Sequence, residues 1–144
     1  MFKRGPISPS VHGLLDYLLA ALLIAAPFLF GFDDDAATAL SIAAGVAVLM
    51  LGAFTAWTTG IVKSIPPVAH AMLDYALAAL LIALPFLAGF SDDGGASAFF
   101  VVVGVAGIVL AIATRFTPER SGKDVVDVAP VDADRSTGRS GRLV

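Results

Sequence analysis

Apolar residues run along this chain in four long blocks with short polar breaks between them. Residues 11–32 are apolar except for His12 and Asp16, residues 68–90 except for His70 and Asp74, and residues 36–62 and 94–114 carry no charge at all. Crossing the hydrocarbon core of a bilayer takes about 20 mostly apolar residues in a helix. Each block meets that length and is too long for a strand. A helix also satisfies its peptide groups within its own segment, which lipid cannot do for it. The pattern therefore predicts four transmembrane helices. Lys3 and Arg4 before the first block resemble the start of a secretory signal. Asp16, and the recurrence of the same segment near residue 70, mark it instead as a retained helix.

Composition sharpens this picture. Charged residues are 15% of the chain, against about 25% in soluble domains. Residues 1–114 hold only 10 of the 21 charges. The remaining segment, 117–144, is rich in Asp, Arg, Gly, Ser and Pro and lacks a periodic apolar face, so it is expected to be a disordered tail. The absence of Cys excludes disulfides and thiolate metal sites. A net charge of −3 gives no reason to expect nucleic acid as a partner.

The first and third blocks are copies. Residues 12–35 align with 70–93 without a gap, identical at 18 of 24 positions, and residues 44–55 align more weakly with 103–114. The repeating unit is a helical hairpin. Because each unit crosses the membrane an even number of times, the two copies should be parallel, related by a pseudo-two-fold axis along the membrane normal. The expected organisation is an all-α integral membrane domain at 1–116, with repeat one at 7–62, repeat two at 65–116 and the tail beyond. Small residues at i,i+4 (Ala21 and Ala25, Ala79 and Ala83, Ser41 and Gly45) suit close helix packing.

The segments Ala26-Pro27-Phe28-Leu29-Phe30-Gly31-Phe32 and Leu84-Pro85-Phe86-Leu87-Ala88-Gly89-Phe90, each downstream of a His-x-x-x-Asp-Tyr pattern, carry a family resemblance. Over about residues 7–117 the chain resembles the SPW-repeat family of small bacterial integral membrane proteins. Ala26-Pro27-Phe28 and Leu84-Pro85-Phe86 stand where that family has Ser-Pro-Trp. The resemblance implies a two-helix repeat in a membrane. It implies no activity.

Ionisable groups inside spans are costly and are functional candidates by default. His12 and Asp16 lie one turn apart on one helix face, and His70 and Asp74 repeat the arrangement. Parallel repeats would let the pairs face each other, His12 to Asp74 and His70 to Asp16. The favoured reading is polar glue between the hairpins. Alternatives are a metal or haem site using His12 and His70, and a proton or ion path using Asp16 and Asp74. Pro27 and Pro85 each free a carbonyl four residues back and are expected to end or kink their helices near Gly31 and Gly89. The acidic runs at 33–35 and 92–93 could bind Ca²⁺ weakly, but they lack an EF-hand spacing and read as solvated loop caps. Motifs for phosphate loops, nucleophile elbows or zinc proteases are missing, so no enzyme and no resident cofactor is expected. The expected role is structural or accessory. The lipid bilayer is the expected partner, and a second copy or another membrane protein is compatible with it.

Lys3, Arg4, Lys63, Arg115, Arg120 and Lys123 all fall on one side of a four-span arrangement, and the opposite loops hold only Asp. The positive-inside rule then places both termini in the cytoplasm of a cell-membrane protein. Trp57 reads as an interfacial aromatic. A reporter fused after Val144 should behave as cytoplasmic and one inserted at Asp34 as external. The opposite pattern of reporter activity would reverse this orientation.

Overall fold

In the computed structural model, which describes residues 5–116, the chain forms four helices. They are α1 (Pro9–Phe30), α2 (Asp35–Phe54), α3 (Pro67–Leu87) and α4 (Gly94–Ala113). At 20–22 residues each is about 30 Å long. That matches the hydrocarbon thickness of a bilayer, and all four are apolar enough to span one. The expected tail at 117–144 lies outside the described residues.

Local chemistry sets the boundaries. The Ser8 side chain accepts from the Val11 N–H ahead of Pro9, whose missing donor is harmless in a first turn. Asp34 caps α2 by accepting from Ala36 and Ala37, and Asp93 caps α4 by accepting from Ala96. Gly31 and Gly89 follow the ends of α1 and α3 with φ of 62° and 79°, a left-handed conformation that suits glycine.

The second span is shorter than its hydrophobicity predicts. It stops at Phe54, not near Val62, and residues 55–65 fold back beneath it. The fold-back satisfies the last carbonyls of α2. Gly52 O accepts from the Trp57 indole, Ala53 O from Ile61 and Val62, and Phe54 O from Ser64 and Ile65. An uncharged run cannot distinguish this reversal from continued helix, because both keep apolar side chains out of water.

Packing is tight within each hairpin and follows the duplication. A Cβ on Gly45 would meet the Ala20 carbonyl at 2.8 Å, and one on Gly104 the Ala78 carbonyl at 2.7 Å, so both glycines permit the same close approach. The close contacts thus run through Ala20 and Ala78, while Ala21 and Ala79 face outward. The neighbouring register was expected; stripes of alanine on two adjacent faces make it ambiguous. Ser41 and Gly45 are buried. Leu23, Val48, Leu81 and Val103 belong to one buried apolar cluster in the middle of the bundle. Phe32, Phe90, Phe99 and Phe100 stack at the acidic-loop end, with ring centroids 5.0–6.3 Å apart.

The opposite end is closed by crossed strand-like contacts. Ile7 pairs with Thr114 and Thr55 pairs with Ile65, both in parallel, so the entry of each repeat is tied to the exit of the other.

At the acidic-loop end Asp93 also accepts from the Asp33 and Asp34 N–H groups at 2.8 and 3.2 Å, linking the two acidic loops. The bond from Ala96, opposed by some desolvation and reinforced by the Asp34 and Asp33 bonds, holds its carboxyl below the usual carboxylate range. The contribution of a carboxylate with a lowered folded pKa is present above its unfolded value, about 4. It is lost as pH falls through the folded value. Asp93→Ala should therefore lower the unfolding temperature in detergent micelles at pH 7, by the roughly 1 kcal/mol typical of a lost cap. The gap between variant and wild type should narrow at pH 3.

Candidate functional site

Near the N-terminal ends of α1 and α3 the bundle interior turns polar. The buried face of α1 runs through His12, Asp16, Ala20, Leu23 and Pro27, and that of α3 through His70, Ala78, Leu81 and Pro85. The i,i+4 spacing places the histidine and the aspartate of each helix on that inward face.

All four side chains converge across the repeat interface. His12 Nε2 lies 3.1 Å from Asp74 Oδ2 and 3.4 Å from Asp16 Oδ1. His70 Nε2 lies 3.2 Å from both Asp16 Oδ2 and Asp74 Oδ2. Both histidines are 1% exposed and Asp16 4%. One oxygen of Asp74 is thus shared between two imidazoles, while Asp16 straddles them with its two oxygens.

The other ring nitrogens are held by threonines. His12 Nδ1 is 2.8 Å from Thr114 Oγ1, and His70 Nδ1 is 2.8 Å from Thr55 Oγ1. Each threonine hydroxyl donates its proton to the carbonyl one turn back, Leu110 at 2.7 Å and Leu51 at 2.6 Å. With that proton committed, the hydroxyl oxygen can only accept from the histidine. Each Nδ1 therefore carries hydrogen, and each Nε2, facing the carboxylates, is the nitrogen left for a proton or another cation. Two buried carboxylates with no positive charge between them would be strongly destabilised. Charge balance at this site therefore calls for positive charge on or between the two imidazoles.

Aromatic rings seal this end. Trp57 packs edge-on to His70 at 4.2 Å, and Phe116 edge-on to His12 at 5.1 Å. Trp57 is 6% exposed, so it is a wall of the cluster and not the interfacial anchor its position suggests. Tyr17 donates to the Thr59 carbonyl at 2.9 Å, bracing the fold-back. Thr55 and Thr114, Trp57 and Phe116 are equivalent pairs at an offset of 59 residues. The threonines close both copies of the aligned second helix, but threonine is ordinary in a membrane helix and only the facing imidazole reveals its use.

Pro27 and Pro85 lie far from the cluster, near the other end. α1 continues to Phe30 and α3 to Leu87 before the glycine turns. The Leu23 carbonyl freed by Pro27 accepts from the Ser41 hydroxyl at 2.6 Å. The second repeat has Phe100 at the position of Ser41 and no hydroxyl to offer there.

The haem alternative fails on space. Axial ligation needs a clear plane between the two Nε2 atoms for the macrocycle. Here carboxylates stand within 3.1–3.4 Å of those atoms.

The SPW repeat domain family matches residues 10–114. The chain belongs to that family. No curated protein and no solved structure matches it. The SPW match spans both hairpins, the cluster and its threonines, and with four apolar helices it makes this a multi-pass membrane protein.

Removing one partner of the cluster strands another. Asp16→Asn and Asp74→Asn, which keep hydrogen-bonding atoms, should be milder than replacement by Leu. A membrane hydrogen bond contributes only about 0.6 kcal/mol on average. Thr55→Val and Thr114→Val leave an Nδ1–H unpaired and should each cost about 1–3 kcal/mol. Unfolding in mixed micelles measures both series, and equal losses for Asn and Leu would contradict a cluster held by polar contacts among its four side chains.

Proposed function

We propose that this SPW-repeat protein is a non-catalytic accessory protein of the cell membrane, with both termini in the cytoplasm, acting through contacts of its helix faces with other membrane helices. The observation that carries the reading is the outward face of α2. Ala36, Ala39, Ala43 and Ala47 lie exposed along it in a smooth row. Beside the row, Ala47, Leu51, Leu73, Ala76, Leu77 and Leu80 line a groove of about 320 Å³ between α2 and α3. Lipid tails are as apolar as leucine, so helices associate in membranes largely by close packing, and small residues favour it.

Transport is the weaker reading. Beyond the cluster the interface is lined by Ala20, Leu23, Val48, Leu81 and Phe100. Among the described residues Ser41 is the only buried polar side chain in that direction, and it is bonded to a carbonyl.

The chain's lack of cysteine makes the test clean. Single cysteines at Ala39 or Ala43 should give a discrete cross-linked species in native membranes. A cysteine at Leu18, exposed on α1, should give far less. Uniform cross-linking from both faces, or none, would overturn the proposal.

A further inference from the structure

We propose that His12, His70 and Asp74, with Asp16 as the second carboxylate, bind a divalent transition-metal ion at the interface between the repeats, Zn²⁺ being the ion that best suits the spacing. The accessory reading above rests on outer helix faces and does not depend on it.

Four observations converge. First, one ligand atom from each of His12, His70 and Asp74 can be chosen so that all lie within 4.8 Å of one another. The shared Asp74 oxygen lies 3.1 and 3.2 Å from the two Nε2 atoms, and Asp16 brings Oδ1 to 3.4 Å from His12 and Oδ2 to 3.2 Å from His70. A tetrahedron with zinc–nitrogen and zinc–oxygen bonds of 2.0–2.1 Å has edges of about 3.3–3.4 Å.

Second, not all of these contacts are hydrogen bonds: His12 Nε2 and Asp74 Oδ2 are placed for one at 3.1 Å, but the His70 side is not. His70 Nε2 has two carboxylate oxygens at 3.2 Å, yet neither is in line for a hydrogen bond, and Asp16 Oδ2 is likewise buried without one. An imidazolium N–H clamp would point its hydrogen at an oxygen. Donors around a cation direct their lone pairs into the space between them.

Third, the threonines hold both imidazoles with hydrogen on Nδ1, so the neutral ring offers the Nε2 lone pair inward. Outer-shell bonds of this kind fix the tautomer of metal-bound histidine. Fourth, a doubly charged ion balances two aspartates, and imidazole with carboxylate is a donor set for first-row transition ions. A cavity of about 30 Å³ touches His12 and Asp74 and is otherwise lined by apolar side chains and Gly107. It has room for about one water beside the cluster.

The full-length protein, purified in detergent and stripped with a chelator, is titrated with Zn²⁺ and separately with Co²⁺. Zn²⁺ should bind at about one ion per chain and raise the unfolding temperature, and Co²⁺ should give the visible absorption of a four-coordinate site. His12→Ala and His70→Ala should abolish binding. Thr55→Val, which keeps every ligand, should weaken it about 10–100-fold. The wild-type titration decides the matter even where a histidine variant fails to fold. Absence of chelator-reversible binding by the wild type overturns the proposal, as does binding that survives in the double histidine variant. Cross-linking from Ala43 is unaffected by either result.

Discussion

The imidazole–carboxylate contact across the repeat axis is the constraint around which the rest of the bundle is arranged. Two imidazoles and the Asp16 carboxylate are buried, with the Asp74 carboxylate partly so. In that setting each polar atom must be matched, because an orphan is far more costly than a made bond is stabilising. The demand propagates outward. The histidines require acceptors for their second nitrogens, which places a threonine at the end of α2 and another at the end of α4. Those threonines hold their geometry only if the helices stop there, and the fold-back of residues 55–65 supplies the donors that a stopped helix needs. Trp57 and Phe116 then close the end against solvent.

The remainder of the bundle is comparatively permissive. Its middle layer is held by apolar packing, and the glycines at 45 and 104 let the paired helices approach. The acidic-loop end departs from the repeat symmetry. Asp93 reaches across to the other loop, and Ser41 mends the carbonyl freed by Pro27 without a counterpart in the second hairpin. Symmetry is kept in the two histidine–threonine bonds and the two close-approach glycines, and relaxed in the carboxylates, which contact the imidazoles differently, and in the loop bonds.

Much of this was legible from residue pattern. Four spans, the duplication and the two histidine–aspartate pairs follow from hydrophobic length and i,i+4 spacing, both properties of a single helix. Thr55, Thr114, Trp57 and Phe116 were not legible as parts of the site. Their roles arise from contacts such as His12 with Thr114, 102 positions apart, and nothing local marks a threonine that serves a distant imidazole. The end of α2 was misplaced for the same reason. Hydrophobicity reports where side chains prefer to be, whereas the helix ends where a remote hydrogen bond needs it to. The Ala20 and Ala21 registers differ by one position, and small size alone does not select between them.

The crossed pairing of histidines and threonines has a further meaning. His12 of the first hairpin is bonded by Thr114 of the second, and His70 of the second by Thr55 of the first. A lone hairpin would own one histidine, one carboxylate and one threonine, and its histidine would lack the threonine that the other hairpin supplies. Only a two-fold pair closes the circuit, which is the logic of an isologous homodimer. In this chain the partner is covalently attached, and joining the halves turns association into an intramolecular step that dilution in the bilayer cannot reverse.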